Sequence, residues 1–406
     1  MDFDHAVIGA GVIGAASAYH LKRLDPGSSV VLIDREKRPG AGNTAKSAAL
    51  YRNIFSSRTS QLLATSTIRY FLTIPEKLQI RPTGYLWMFS KDQWDASKNA
   101  LSNLDPVKDE LEMWDTERLR NALKIRTDGS GPFPGVHKGL LGRLCGSLSG
   151  MSVAEHYVEE FLALGGEVLL EKEVKGFELK NKGSRFAPWD EQGLRSITLS
   201  DGSELSAGKF LFCLGAWTQE VLGRMGIFSD ALPKKRQLFG IKVDDPSQVL
   251  DGLEPGDVPA LILPAAGTYV KPLLERKLLI TGLADDLGQP FSLEGDGPDI
   301  DYFERAISPV LSHYFPHLKD WELKMKWSGH YSYHLPDKNP VVENISNIHW
   351  AAGTSGSGIM KADAVGRVAA SGLVGISDTE LFDGSRIPTR SLSLRERDVE
   401  SESFVI

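Results

Sequence analysis

His5-Ala6-Val7-Ile8-Gly9-Ala10-Gly11-Val12-Ile13-Gly14 is an apolar run that ends in G-x-G-x-x-G. A helix-like stretch, Ala15 to Leu24, follows it. A second apolar run, Val30-Val31-Leu32-Ile33, then ends on Asp34. Strand, glycine turn, helix, strand and acid in this order form a dinucleotide-binding unit. Gly9 permits the tight turn, Gly11 lets backbone approach a pyrophosphate, and Gly14 lets the helix lie close to the strand. The helix amino terminus attracts the anion, with Val12 and Ile13 on its first turn, and Asp34 can accept from a ribose hydroxyl. The plain alternative is a tight β-α turn that binds nothing.

Composition sets the outer limits. The chain has 406 residues, so two domains or one discontinuous pair are expected. Hydrophobic content of 41% and charged content of 24% are ordinary for a soluble protein. A net charge of −7, from 46 basic and 53 acidic residues, argues against nucleic acid as the main partner. No apolar run has the length of a membrane span, which leaves only peripheral membrane contact open. The amino terminus shows no secretory signal. Cys145 and Cys213 are the only cysteines, which excludes a disulfide scaffold or a cysteine metal site. A reducing, cytoplasmic setting is expected.

Further along, Gly84 to Phe89 reads as a strand, and residues 91–130 read as polar and helical. Ser152 to Leu164 reads as an amphipathic helix closed by Gly165-Gly166. Val168 to Val174 reads as a strand, and Ile197 to Leu205 as a hairpin around Asp201-Gly202. Phe210 to Leu214 reads as a short buried strand. Several strands between Pro233 and Gly282 suggest an antiparallel sheet, and Asp299 to Phe315 reads as helical. His349 to Ala352 reads as a strand that leads into a glycine loop, Gly353 to Gly358, and a helix from Ala362.

Two features favour a flavin over a nicotinamide. The polar loop Gly40 to Ser47 after Asp34 and Arg35 can run along an extended cofactor. The loop Gly353 to Gly358 offers a second helix amino terminus, suited to the electron-rich end of a reduced flavin. There is no second G-x-G-x-x-G, so electrons should come from an organic substrate.

Gly9 to Gly14, Asp34, the Asn43-Thr44-x-Lys46-Ser47 loop, Phe212 to Trp217 and Gly353-x-Ser355-Gly356-x-Gly358 together resemble the D-amino acid oxidase superfamily of FAD-dependent oxidoreductases. The resemblance spans nearly the whole chain. Within the superfamily it is nearest to the dye-linked L-proline dehydrogenases of archaea. That part is carried by Pro233 to Arg236, Asp286 to Phe291, Gly329 to Tyr331, Asn339 to Val342 and Ala352 to Lys361. The fold implied is α/β plus α+β: a Rossmann-like FAD-binding domain of glutathione-reductase type with a discontinuous substrate domain on an antiparallel sheet. The expected boundaries are 1–85, 145–225 and 326–390 for FAD, 86–144 and 226–325 for substrate, and 391–406 for a tail, whose charged stretch Leu394 to Glu402 is expected to be solvated while the apolar Phe404-Val405-Ile406 could dock.

The resemblance also implies roles. Asp34 and Arg35 would hold the adenosine ribose, and Val174 would contact adenine through its backbone. Gly42, Asn43, Thr44, Lys46 and Ser47 would line the pyrophosphate and the flavin edge, with Gly215 and Trp217 also at the cofactor. Gly353, Ser355, Gly356, Ser357, Gly358 and Met360 would bring N–H groups and a helix dipole to the flavin pyrimidine, unless the loop is only a glycine-rich turn. Arg52 falls where relatives carry an arginine for a substrate carboxylate; the alternative is a surface salt-bridge arginine. Met360, with Lys361 adjacent, replaces the lysine that is the family's second carboxylate partner. Tyr331 or Tyr333 could take over as hydroxyl donors. His330 falls where some relatives link flavin through cysteine, so FAD is expected to bind non-covalently. His330 and His334 are four apart on a strand-like segment, so no metal is expected. The oxygen-activating lysine of oxidases aligns with Ile280 or Thr281, which favours electron transfer to a dye or quinone-type acceptor.

The activity implied is oxidation of L-proline, or another small amino acid, to an imine. Sarcosine, glycine and D-amino acid oxidases, 2-hydroxy acid dehydrogenases and a non-catalytic FAD-binding subunit remain as alternatives.

Overall fold

In the computed structural model, the residues described are 1–180, 193–284, 290–295, 297–318 and 321–404. Part of the stretch Asp286 to Phe291, and the final Val405-Ile406, therefore lie outside them.

The opening strand, Asp2–Ile8, is the centre of an eight-stranded sheet. It pairs in parallel with Val30–Ile33 on one side and Glu204–Phe212 on the other. Ile348–Ala352 and Glu167–Leu169 extend the parallel set outward. Val30–Ile33 and Ile348–Ala352 are buried throughout, as strands covered on both faces must be. Helices Val12–Leu24, Gly150–Ala163 and Ala362–Val374 join one apolar cluster on one face of the sheet. Val174–Leu179 and Leu194–Leu199 form an antiparallel branch on Glu204–Phe212. Val168 to Val174 is thus not one strand; it ends one and begins another.

A second eight-stranded sheet runs in the order Trp321–Tyr333, Leu232–Val243, Leu278–Leu283, Thr268–Leu273, Ala260–Ile262, Tyr85–Phe89, Lys138–Gly142, Leu111–Trp114. All its neighbours are antiparallel except Ala260–Ile262 with Tyr85–Phe89, which run parallel. The expected helical region 91–130 contains the edge strand Leu111–Trp114, with short helices on either side. At four residues that strand is too short to show a strand period. The strand Trp321–Tyr333 runs unbroken through residue 326. Its outer half is exposed and its inner half reaches the first sheet's cleft.

The carboxy-terminal segment is not a solvated tail. Arg397 forks onto Asp337, and Glu402 and Phe404 are 2% and 5% exposed. Of its charges, Arg397 and Glu402 are satisfied inside the molecule, while Arg395, Glu396, Asp398 and Glu400 stay exposed as expected.

Candidate cofactor and substrate site

Ligands of open α/β sheets bind beyond the carboxyl ends of the strands. Here Ile8, Ile33 and Ala352, at or near three such ends, open onto an elongated cleft with about 1540 Å³ of empty space, part of it open to solvent.

The first glycines shape its floor. Gly9 has φ +103°, and a Cβ there would lie 2.4 Å from the Cys213 carbonyl oxygen. A Cβ on Gly14 would lie 1.8 Å from the Gly9 carbonyl oxygen. Gly14 is therefore packed beneath the cleft, while Gly9, Gly11, Val12 and Ile13 line it. The Val12 N–H reaches Thr44 Oγ1 at 3.4 Å, which joins the polar loop to the helix start.

At one end Asp34 accepts from the N–H groups of Ala10 and Glu36, at 2.5 and 2.8 Å. Burial raises its pKa, against the pull of those two bonds. Arg35 stacks over the Trp217 ring at 4.3 Å. Val174 and Gly215 complete this end, with Lys172, Glu173, Glu220 and Arg224, which sequence reasoning did not find. Those four come from separated segments that carry no motif.

Toward the other end, Gly42, Asn43, Thr44 and Ser47 line the cleft opposite Gly356, Gly358 and Met360. His330 and Tyr331 enter between them from the long strand. Asn43 Oδ1 accepts the His330 N–H at 2.9 Å, while Asn43 Nδ2 is buried without a partner among the described residues. Gly356, at φ +86°, could not carry a Cβ, which would meet the Tyr331 ring at 2.4 Å.

Besides Gly14 and Arg52, five expected residues lie off this cleft. Lys46 is exposed; its backbone oxygen accepts from Trp327 Nε1. Gly353 packs on His334 and Val341. Ser355 and Ser357 line a second cavity instead. Tyr333 lies in neither cavity; it packs on Phe291, ring centres 5.8 Å apart. Tyr331 and Tyr333 are two apart on one strand and so share a face, with Tyr333 one step further along it, beyond both cavities.

The second cavity holds about 570 Å³ of empty space. It shares Ser47, Leu50, Tyr331, Gly356 and Met360 with the cleft and so adjoins it. Arg52 lines it and is 5% exposed, so it is not a surface salt-bridge residue. Its guanidinium stacks over Phe55 at 4.0 Å and donates to the backbone oxygens of Ile54 and Phe404. Tyr85, Tyr269 and Tyr331 surround it, and burial pushes all three hydroxyls up, so they remain O–H donors at neutral pH. Lys338 adds a second cation. Lys361 turns away from both cavities and donates to Ser60 Oγ at 2.7 Å, leaving Met360 at the wall.

Ile280 lies in the second sheet's core, and Thr281 donates to the Tyr269 oxygen at 2.9 Å. A lysine missed by sequence reasoning lies one strand away. Lys271 Nζ donates to the oxygen of Ala48, a residue of the cavity wall, and burial brings its pKa to about 8. No His, Cys, Asp and Glu group suited to a metal occurs among the described residues, and no helix among them is long and apolar enough to cross a membrane.

The model of the FAD dependent oxidoreductase (DAO) family matches residues 4–371. The chain belongs to the DAO family. As a DAO-family flavoprotein it uses FAD. The cleft fits that cofactor: it is elongated, it has a helix amino terminus at Gly11, and Asn43 Nδ2 is a buried donor with no partner among the described residues. FAD-dependent oxidoreductase domain-containing protein 1 of Xenopus laevis is 22% identical, over 90% of this chain and 78% of its own. L-2-hydroxyglutarate dehydrogenase of Indibacter alkaliphilus is also 22% identical, over 71% of this chain and 62% of its own. L-proline dehydrogenase from P. horikoshii superposes with a TM-score of 0.77 at 19% identity, over 96% of both chains. Glycine oxidase from Geobacillus kaustophilus superposes with a TM-score of 0.68 at 16% identity, over 95% of this chain and 98% of its own. These likenesses carry the fold.

Proposed function

We propose that this chain is a dehydrogenase that oxidises the C–N bond of a small amino acid, L-proline first among them. The observation that carries this reading is the second cavity, which places a buried arginine among three phenols beside the cofactor cleft. When bound in the cleft, FAD would supply a two-electron acceptor for the hydride lost from the carbon beside the amine. Arg52 orients the substrate through its carboxylate, and such a charge-assisted bond contributes roughly 1.5–3 kcal/mol. Tyr85, Tyr269 and Tyr331 offer hydroxyls, and the aromatic walls exclude water. The substrate loses one hydride and one proton, so L-proline gives Δ1-pyrroline-5-carboxylate. The electrons then pass to a dye or quinone-type acceptor. Non-covalent FAD is part of this reading: Cys145 lies off the cleft, and Cys213, which lines it, is buried with its thiol pushed up to about 12 and so is a poor nucleophile.

The test is anaerobic addition of L-proline to the FAD-loaded protein. Bleaching of the flavin, reversed quickly by dye and slowly by air, is expected. An unbleached flavin removes proline, and rapid reoxidation by air favours an oxidase. Arg52→Ala is expected to weaken substrate binding on the order of tenfold or more while FAD content stays intact. Loss of FAD with unchanged substrate affinity would show that Arg52 serves the cofactor instead. A second reading, a 2-hydroxy acid dehydrogenase, draws on Lys338, whose charge beside Arg52 suits a dicarboxylate, and on the likeness to L-2-hydroxyglutarate dehydrogenase. Flavin bleaching by L-2-hydroxyglutarate and not by proline would select it.

A further inference from the structure

The segment after Leu392 returns to the substrate cavity. Glu402 is its anchor. Its carboxylate accepts from the Ser56 N–H at 3.0 Å, Ser56 Oγ at 2.8 Å, the Ser57 N–H at 3.0 Å and the Phe404 N–H at 2.7 Å. A carboxylate so fully engaged is a structural clamp, not a free acid. Burial alternates along the segment: Glu402 and Phe404 point inward, Ser401 and Ser403 outward. The Phe404 ring then packs 5.0 Å from Trp87 and 6.4 Å from Phe89, and it lines the cavity. Its backbone oxygen accepts from Arg52.

We infer that Phe404 is a specificity-determining residue: its ring is a wall of the substrate cavity and limits the size of carboxylate that Arg52 can receive. The inference rests on the carboxylate role of Arg52 given above. Arginine's planar fork has more N–H donors than the two backbone oxygens of Ile54 and Phe404 use, so donors are left for one carboxylate. Arg52 and Phe404 line the same cavity, so a carboxylate held by the fork shares that space with Phe404. A small amino acid fits, and a bulky one meets the ring.

The test compares FAD-loaded full-length protein with Phe404→Ala and Phe404→Leu. Each is titrated with acetate and with benzoate while the visible flavin absorbance is followed. The alanine variant removes the ring and keeps the backbone oxygen. Benzoate is expected to bind on the order of tenfold more tightly to it than to the unaltered protein, with acetate unchanged and the leucine variant between. Equal FAD content is the folding check; should the alanine variant lose FAD, the leucine variant carries the same comparison. Acetate and benzoate shifting together, or neither shifting between proteins, overturns the wall. If neither carboxylate perturbs the flavin of the unaltered protein, or if Arg52→Ala leaves both affinities unchanged, the carboxylate reading of the cavity fails and takes this inference with it.

Discussion

Lys361 is adjacent to Met360 in sequence, yet the two side chains part. Met360 meets the cavities, while Lys361 sits over the Phe55 ring at 4.5 Å and bonds Ser60. Which of two neighbours faces the ligand depends on the phase of the helix start, and a glycine loop does not reveal that phase. Burial lowers the Lys361 pKa from 10.5 to about 7. Between those values the unfolded chain binds the extra proton, so this residue's contribution to stability rises with pH across that window. Lys361→Met should therefore stabilise the protein by on the order of a few kcal/mol near neutrality and by little near the upper end of the window. Urea midpoints measured across the window check this, and a gain that does not shrink with rising pH would refute it. Asp34, by contrast, was legible, because the glycine motif and the strand end fix its place. Asp34→Ala should weaken FAD binding on the order of tenfold or more, read by titration of the apoprotein.

At the scale of elements, the β-α-β unit and the closing strand-loop-helix were readable because their apolar runs are buried on both faces. The edge strand Leu111–Trp114 was not, since four residues are too few to show a period of two. Nor could the sequence show how the helices are tied together. Asp363, in the first turn of Ala362–Val374, meets His20 Nε2 at 2.7 Å, accepts from Tyr157 Oη at 3.0 Å and from Arg367 Nε at 2.6 Å. Helices Val12–Leu24, Gly150–Ala163 and Ala362–Val374 therefore share one carboxylate. Burial acts to raise that carboxyl, but His20 and Arg367 outweigh it and hold it at about 2. Asp363→Asn should cost about 3–5 kcal/mol, the usual cost of breaking a buried ion pair. The difference from the unaltered protein should be full above the ordinary carboxyl value of 3.8 and fade as pH falls toward 2. Urea denaturation at neutral and acid pH reads both.

For the whole molecule, two sheets meet at one cleft, and the cofactor site draws on residues from Ile8 to Met360. Binding to a site built only in the folded state adds stability as the logarithm of free ligand. Added FAD at about 100 times its dissociation constant should stabilise the apoprotein by about 2.7 kcal/mol. A melting temperature that does not move with FAD concentration would show that FAD does not bind the folded apoprotein in preference to the unfolded chain. The second cavity was the least legible part. Arg52, Tyr85, Tyr269, Tyr331 and Phe404 are scattered along the chain and are joined only by strand register and by the returning carboxy-terminal segment. That segment's charge pointed to solvent because its partners, Asp337, Ser56 and Ser57, are distant in sequence.

The two glycine contacts at the cleft differ in what could ever repair them. A Cβ at Gly14 strikes the Gly9 backbone oxygen, an atom that every residue carries. No second-site suppressor at residue 9 can make room for it. A Cβ at Gly356 strikes the Tyr331 ring, which a smaller residue would remove, leaving only the cost of its positive φ. In a genetic screen, revertants of Gly14→Ala should be restorations of glycine, whereas those of Gly356→Ala should include compensating changes at Tyr331.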